Sequence, residues 1–226
     1  MKIGVLVTGH PPDNMRENGA YDQYFARLLE GHDFEIEGWA VVDGQFPPGI
    51  DAADGWLITG SKHGAYEDHD WIAPLEEFVR AAWAAGKPMI GVCFGHQIIA
   101  QAMGGRVEKF AGGWSVGRTG YQMDGKTVTI NAWHQDQVTE RPEMAEVFAS
   151  NAFCENAGLL YGDTFWTIQP HPEYDADFID GLIRTRGKGV VPDDLLEAAS
   201  AQLDQPTDRM EVARTMADFF TKARTR

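Results

Sequence analysis

The chain has few cysteines, and this shortage excludes two kinds of protein. Only two cysteines, Cys93 and Cys154, occur among 226 residues, in unrelated surroundings, so a small disulfide-stapled fold is excluded. Neither has a second cysteine at metal-ligand spacing, and no His-Glu-x-x-His pattern occurs. We therefore expect neither a structural nor a catalytic zinc site, and no other metal.

The chain also lacks clustered positive charge and long apolar runs. Its formal net charge is −15, with no Lys/Arg run. Nucleic-acid binding requires clustered cations, so we expect no DNA or RNA partner. No apolar stretch approaches the roughly 20 residues of a membrane helix, and the run Ile3–Val7 is too short for a signal-peptide core. We expect a cytoplasmic protein without a membrane partner.

The hydrophobic pattern predicts one α/β domain. A chain of 226 residues with 43% hydrophobic content can bury one substantial core. Strand-like and helix-like runs alternate up to about residue 103, which is typical of a parallel sheet. From Arg106 to Trp133 short runs are separated by glycines, and Asp124-Gly125 is a favoured hairpin turn, which predicts a small antiparallel excursion.

The predicted architecture is a central, mostly parallel sheet flanked by helices over residues 1–190. A helical C-terminal extension, residues 191–226, is expected to pack on the same domain, because Pro192 and Pro206 begin two helix-start signals. The predicted strands are Lys2–Val7, Phe34–Ala40, Gly55–Ile58, Met89–Val92, Phe153–Leu160 and Thr164–Gln169. The predicted helices lie near Tyr21–Leu29, Trp71–Ala85, Gln97–Met103, Asp175–Arg186, Asp193–Ala201 and Asp208–Ala223.

The segment Gly91-Val92-Cys93-Phe94-Gly95 has the form of a nucleophile elbow. A predicted strand precedes it and a predicted helix follows, so the sharp turn would expose the Cys93 thiol above the sheet. The positive end of a helix favours thiolate over thiol and so activates the sulfur. By itself the motif is equally compatible with a buried structural cysteine.

The segment His171-Pro172-Glu173 supplies the two groups that a nucleophilic thiol needs. A catalytic thiol requires a base, and that base requires a third group that fixes its tautomer. In an extended segment, side chains at i and i+2 point to the same face, so the two could act together. With the elbow, this pattern predicts a triad of Cys93, His171 and Glu173.

The segment from Gly91 to Gln97, taken with His171-Pro172-Glu173, resembles the class I glutamine amidotransferase family. The resemblance extends in order from the first strand to about Val190. It implies hydrolysis of the γ-amide of glutamine or of a γ-glutamyl compound through a thioester on Cys93, without a cofactor. It also implies an oxyanion hole formed by backbone N–H groups at Gly60, Ser61 and Phe94. Substrate contacts are implied for Gln97, Trp133 and His134, whereas His96 is interpreted as structural.

Two features point to the stand-alone branch of that family, which includes plant γ-glutamyl peptidases and proteins similar to the amidotransferase of GMP synthase. Pro170 precedes His171 where phenylalanine is commoner, and the chain ends in a helical tail. Two options follow from the resemblance. The chain is either an independent γ-glutamyl hydrolase or a glutaminase subunit that delivers ammonia to a synthase partner. Ser61 stands where the family usually has glycine, which makes this loop the expected place for control.

Two further interpretations remain open from the sequence. DJ-1-like proteins also carry an elbow cysteine, but the residue after it is commonly histidine, whereas here it is Phe94. A non-catalytic regulatory protein with the same fold would have no need of Cys93, His171 and Glu173 together. Both alternatives are therefore weaker than the amidohydrolase interpretation.

Overall fold

Eleven strands and six α-helices form within residues 1–224, the part of the chain described by this computed structural model. The strands are β1 Lys2–Leu6, β2 Glu35–Trp39, β3 Gly55–Ile58, β4 Met89–Val92, β5 Arg106–Lys109, β6 Ser115–Met123, β7 Lys126–His134, β8 Asp136–Glu140, β9 Glu146–Ser150, β10 Gly158–Tyr161 and β11 Phe165–Ile168. The helices are α1 Tyr21–Leu28, α2 Ile72–Ala84, α3 Phe94–Ala102, α4 Ala176–Leu182, α5 Asp193–Ser200 and α6 Arg209–Arg224.

Nine of the strands form one twisted sheet in the order β2-β1-β3-β4-β11-β10-β9-β6-β7. The pairings from β2 to β11 are parallel, and those from β11 to β7 are antiparallel. The prediction of an α/β domain with a central parallel sheet is confirmed. The antiparallel part is larger than the sequence indicated, because β9 and β10 extend it and β5 pairs with β8 in a separate two-stranded sheet.

The hairpin between β6 and β7 has the turn that its sequence predicted. Met123 pairs with Lys126, so Asp124 and Gly125 form a two-residue loop. Both have positive φ, 49° and 79°, as a type I′ turn requires.

The strand predicted from Phe153 is wrong in its first half, since β10 begins only at Gly158. The Asn151 side chain explains the difference. Its Oδ1 accepts the backbone N–H groups of Phe153 at 2.9 Å and Cys154 at 2.7 Å. This local bonding holds the backbone in a turn and competes with strand pairing.

Two hydrophobic clusters lie on the two faces of the sheet. One packs α1, α4 and α6 against the β1 face that carries Ile3 and Val5, and the other packs α2 and α3 against the face that carries Leu6 and Trp56. Val212, Met216 and Phe220 of α6 are buried in the first cluster. Among residues 1–224, no helix combines the length and apolar character needed to cross a membrane.

Candidate active site

Cys93 lies at the carboxyl end of β4, between that strand and α3. Its φ is 54°, a strained conformation for a residue with a side chain. The Cys93 N–H donates to the carbonyl of Ile168 at 2.9 Å, which ties the turn to β11. The backbone therefore has the geometry of a nucleophile elbow, at the edge where ligands bind in α/β sheets.

The two glycines of the elbow allow the helix to approach the sheet closely. A Cβ at Gly91 would lie 2.5 Å from the Gly95 carbonyl oxygen, and one at Gly95 would lie 2.2 Å from the Ile58 oxygen. Both distances are below any non-bonded contact. Gly95 also donates its N–H to the Thr59 oxygen at 3.1 Å, so the elbow is fixed against the end of β3.

His171 and Glu173 are in contact and almost fully buried. Nδ1 of His171 lies 2.7 Å from Oε1 of Glu173, and the side chains are 2% and 1% exposed. The backbone here is a turn, with the Tyr174 N–H 3.4 Å from the His171 oxygen, so the expected extended conformation is wrong. The turn centred on Pro172 and Glu173, rather than strand alternation, brings the imidazole and the carboxylate together.

The His171 imidazole hydrogen-bonds Glu173 and lines the same cleft as the Cys93 side chain. Because Nδ1 is engaged by Glu173, Nε2 is the ring nitrogen left for other contacts. Burial alone would lower the pKa of His171, but the charges of Glu173 and Cys93 and the hydrogen bond to Glu173 outweigh it and raise the pKa to about 10. The surroundings therefore favour an imidazolium beside the sulfur.

A cleft of about 410 Å³ opens above these residues. The predicted site residues that line it are Ser61, Cys93, Gln97, Trp133, His134 and His171. Gly60, Phe94 and Glu173 lie behind this lining. A Cβ on Gly60 would be 2.9 Å from Cε1 of His171 and 3.7 Å from Cβ of Cys93, so only glycine fits there.

The Thr59–Ser61 segment is held by a residue that sequence reasoning missed. Thr8, just after β1, is fully buried, and its Oγ1 lies 3.0 Å from the carbonyl oxygens of both Thr59 and Gly60. The Ser61 hydroxyl donates to the Thr8 oxygen at 2.6 Å. No local motif marks Thr8, since its role depends on the pairing of β1 with β3.

Two backbone N–H groups near the thiol are available to a ligand. Within residues 1–224, no hydrogen bond engages the Ser61 N–H. Phe94 is the first residue of α3, so its N–H has no acceptor inside the helix.

Gln97 and His134 both line the cleft, and each has one polar side-chain atom that is not used by the protein's own hydrogen bonds in the described part of the chain. The Gln97 amide nitrogen donates to the Asp136 carbonyl at 2.9 Å and to Gln169 Oε1 at 3.0 Å, which leaves its oxygen for other contacts. Nδ1 of His134 lies 3.2 Å from the Asp136 oxygen, and its buried Nε2 has no partner within the described residues. Burial lowers the pKa of His134 to about 4, so Nε2 is a neutral acceptor.

Cations line part of the cleft although the chain is acidic. Arg186 comes from a π-helical turn, Ile183–Gly187, that follows α4; such turns recur at functional sites. It donates to the His10 carbonyl at 2.6 Å and lies 3.4 Å from the Tyr21 hydroxyl. Lys109 lines the same cleft. No sequence motif identifies Arg186 as a residue of the cleft, because its position depends on how α4 packs beside α1.

The other histidine of the elbow region and the second cysteine lie elsewhere. His96 is fully buried, with Nδ1 2.8 Å from Thr167 Oγ1, and burial lowers its pKa to about 3. Cys154 is 1% exposed, and burial raises its pKa to about 12. Neither group has the surroundings of a nucleophile or a base.

Comparison with known proteins identifies the family and several relatives of this chain. The family model for glutamine amidotransferase class-I matches residues 51–180. Gamma-glutamyl peptidase 4 of Arabidopsis thaliana is 31% identical over 204 residues, covering 83% of this chain and 81% of that protein. Gamma-glutamyl peptidase 3 of the same plant is 35% identical over 183 residues, covering 72% and 74%.

A solved structure shares the fold. A glutamine amidotransferase from Methylobacillus flagellatus superposes with a TM-score of 0.74 at 20% identity, covering 99% of this chain and 92% of that one. The family match includes the elbow and the His171–Glu173 turn and spans more than half of the chain. The chain therefore belongs to the class-I glutamine amidotransferase family.

Proposed function

We propose that this protein is a hydrolase of γ-glutamyl amide bonds that uses Cys93 as nucleophile, His171 as acid and base, and Glu173 as the group that orients His171. The observation that carries the proposal is the buried imidazole of His171, which hydrogen-bonds Glu173 and lines the same cleft as Cys93 at its strained elbow. The relatives named gamma-glutamyl peptidases support the choice of bond.

The reaction follows from the positions of these groups. The Cys93 thiolate attacks the γ-carbonyl carbon, and the negative charge that develops on the oxygen is stabilised by the N–H groups of Ser61 and Phe94. His171 donates a proton to the leaving amine as the C–N bond breaks, which leaves a γ-glutamyl thioester. Water then gives a proton to His171 and attacks the thioester, which releases glutamate and regenerates the thiolate.

We further propose that the preferred leaving group carries a carboxylate, as in a γ-glutamyl dipeptide. Three cations, Lys62, Lys109 and Arg186, line the cleft with two carboxylates, Glu67 and Asp136. The lining is therefore net positive in a chain of net charge −15, which favours an anion. The bonds of Arg186 to His10 and Tyr21 use only part of its five N–H donors. Its planar guanidinium suits a carboxylate.

A substrate panel tests both parts of the proposal. Purified protein is incubated with glutamine, γ-glutamylglycine and γ-glutamylethylamide, and the released glutamate is measured. We expect turnover by the chain alone, fastest with γ-glutamylglycine, and none by Cys93→Ala. Arg186→Gln should lower kcat/KM for γ-glutamylglycine at least tenfold more than for γ-glutamylethylamide.

Other outcomes would contradict one part or both. Equal losses on the two substrates would remove Arg186 from leaving-group recognition. No turnover with any substrate by the isolated chain, followed by glutaminase activity when a synthase partner is added, would favour an ammonia-delivering subunit instead.

A further inference from the structure

Three side chains with metal-ligand chemistry converge outside the groups that the proposed reaction uses. His63, Glu67 and His69 lie between β3 and α2, just after Ser61. Oε2 of Glu67 is 2.7 Å from Nε2 of His69 and 3.3 Å from Nδ1 of His63. One ligand atom from each residue lies within 4.8 Å of the other two. The spacing His-x-x-x-Glu-x-His differs from the pattern sought in the sequence, so it was not predicted.

The backbone and the neighbouring rings hold this cluster in place. Glu67 donates its N–H to the Gly64 oxygen at 3.1 Å, and His69 donates to the Glu67 oxygen at 3.2 Å. The His69 ring stacks on Trp71 with an interplanar angle of 8°, and the His63 and His69 ring centroids are 4.3 Å apart. Trp71 is buried. The three side chains therefore lose little further freedom when they bind a common ligand.

The donor set suits a borderline transition-metal ion. Two imidazole nitrogens and one carboxylate oxygen are the protein ligands of many zinc sites that keep a fourth position for water. With zinc–nitrogen bonds of about 2.0–2.1 Å, tetrahedral donor atoms are about 3.3 Å apart. The Glu67–His63 separation has this value, and the 2.7 Å between Glu67 and His69 would have to lengthen around an ion. The side chains of His63, Glu67 and His69 are 23%, 42% and 34% exposed, so an ion can enter from solvent.

We infer that His63, Glu67 and His69 bind a divalent transition-metal ion, with zinc the best fit. The site adjoins the proposed oxyanion donors, because the His63 N–H donates to Ser61 Oγ at 3.1 Å. The inference revises the expectation of no metal. It does not depend on the proposed hydrolysis, since binding is measured without substrate.

Metal titration of the Cys93→Ala protein tests the inference. This background removes the thiol, which could itself bind a metal beside His171. Zn²⁺ is titrated by calorimetry after chelator treatment, and Co²⁺ by its visible absorption. We expect one ion per chain and the intense absorption of tetrahedral cobalt. Glu67→Gln and His69→Ala, each added to this background, should weaken affinity at least tenfold, whereas the exposed His32→Ala should not.

Thermal unfolding supplies an independent readout. A ligand that binds the folded state raises Tm by mass action, so zinc should raise Tm in Cys93→Ala but not when His69→Ala is added. Circular dichroism confirms that each variant is folded. Affinity unchanged by Glu67→Gln and His69→Ala would place the ion elsewhere. If no metal binds at micromolar concentration, the three side chains only hydrogen-bond one another. Either result would overturn the inference.

Discussion

At the scale of single residues, the two cysteines show how surroundings decide chemistry. Cys93 has a strained backbone, a helix that begins after it and a place in the same cleft as His171. Cys154 is held in a turn by Asn151, and burial raises its pKa to about 12. The same side chain is thus a proposed nucleophile in one place and an inert packing group in the other.

Glu173→Gln should lower both the activity and the pKa of His171. The Glu173 carboxylate stabilises the charged form of His171 and so raises its pKa to about 10. Without that charge, burial of the imidazole lowers the pKa of His171. We expect kcat for a γ-glutamyl substrate to fall about 10²-fold or more, and the NMR titration of His171 to move to lower pH.

The matched control for that variant is Asp177→Asn, an exposed carboxylate nearby. Because members of a triad act as one unit, Glu173→Gln should add little to the loss caused by Cys93→Ala. Near-normal kcat in Glu173→Gln would remove Glu173 from the proposed triad.

At the scale of elements, α3 is placed by a glycine that helix propensity disfavours. Gly95 is the second residue of α3, and glycine is a poor helix former. Its missing Cβ lets the helix lie against the Ile58 carbonyl. One residue further, the His96 ring bonds Thr167 of β11. Close packing at this junction fixes the elbow, so the local propensity is overridden by tertiary contact.

The junction between α3 and β11 should make stability sensitive to acid. Burial lowers the pKa of His96 from 6.5 to about 3, so between these values the unfolded chain binds a proton that the folded protein does not. The free energy of unfolding therefore rises with pH and falls as pH drops below about 6.5. His134, with its pKa lowered to about 4, acts in the same direction.

Urea unfolding at pH 7, 6 and 5 measures this effect. His96→Gln cannot titrate, so its stability should depend less on pH, by up to about 1.4 kcal/mol per pH unit for one proton. The exposed His32→Gln should keep the wild-type slope. An unchanged slope in His96→Gln would mean that His96 takes up a proton in the folded state.

At the scale of the whole molecule, the C-terminal helix is tied to the site. Arg209, at the start of α6, donates to the carbonyls of Pro172 at 3.0 Å and Glu173 at 3.5 Å. Further along α6, Phe220 is fully buried, and its ring would lie 3.0 Å from a Cβ on Gly55 of β3. The domain boundary predicted at residue 190 stays a prediction. Helix α6 adds buried side chains to the hydrophobic core, and its Arg209 bonds the backbone of the His171 turn.

Phe220→Ala should destabilise the protein by about 3–5 kcal/mol, since it removes a fully buried ring and leaves a cavity. Chemical denaturation measures the loss. Phe219→Ala is the matched control, because its ring is only partly buried and should cost less. Equal losses in the two variants would show that α6 does not depend on this core contact.

Local patterns predicted those parts of the fold that local forces govern. The alternation of strands and helices, the Asp124-Gly125 hairpin and the elbow at Cys93 all depend on backbone conformation within a few residues. The start of β10 was misplaced because the Asn151 side chain captures two backbone N–H groups, a competition that hydrophobic pattern does not reveal. Strand β8 pairs with β5, and β9 pairs with β6 as well as with the adjacent β10. Short runs of mixed polarity do not predict the pairings with β5 and β6, which are remote in sequence.

By itself the sequence determined the fold class and the elbow, and it put forward His171 and Glu173 as candidate partners for Cys93, because motifs are local properties. Only the tertiary structure decided that Thr8 holds the Thr59–Ser61 segment, that Arg186 reaches the cleft and that Arg209 supports the His171 turn. Each of these contacts joins segments far apart along the chain. Their geometry is set by sheet order and helix packing, which no short stretch of sequence encodes.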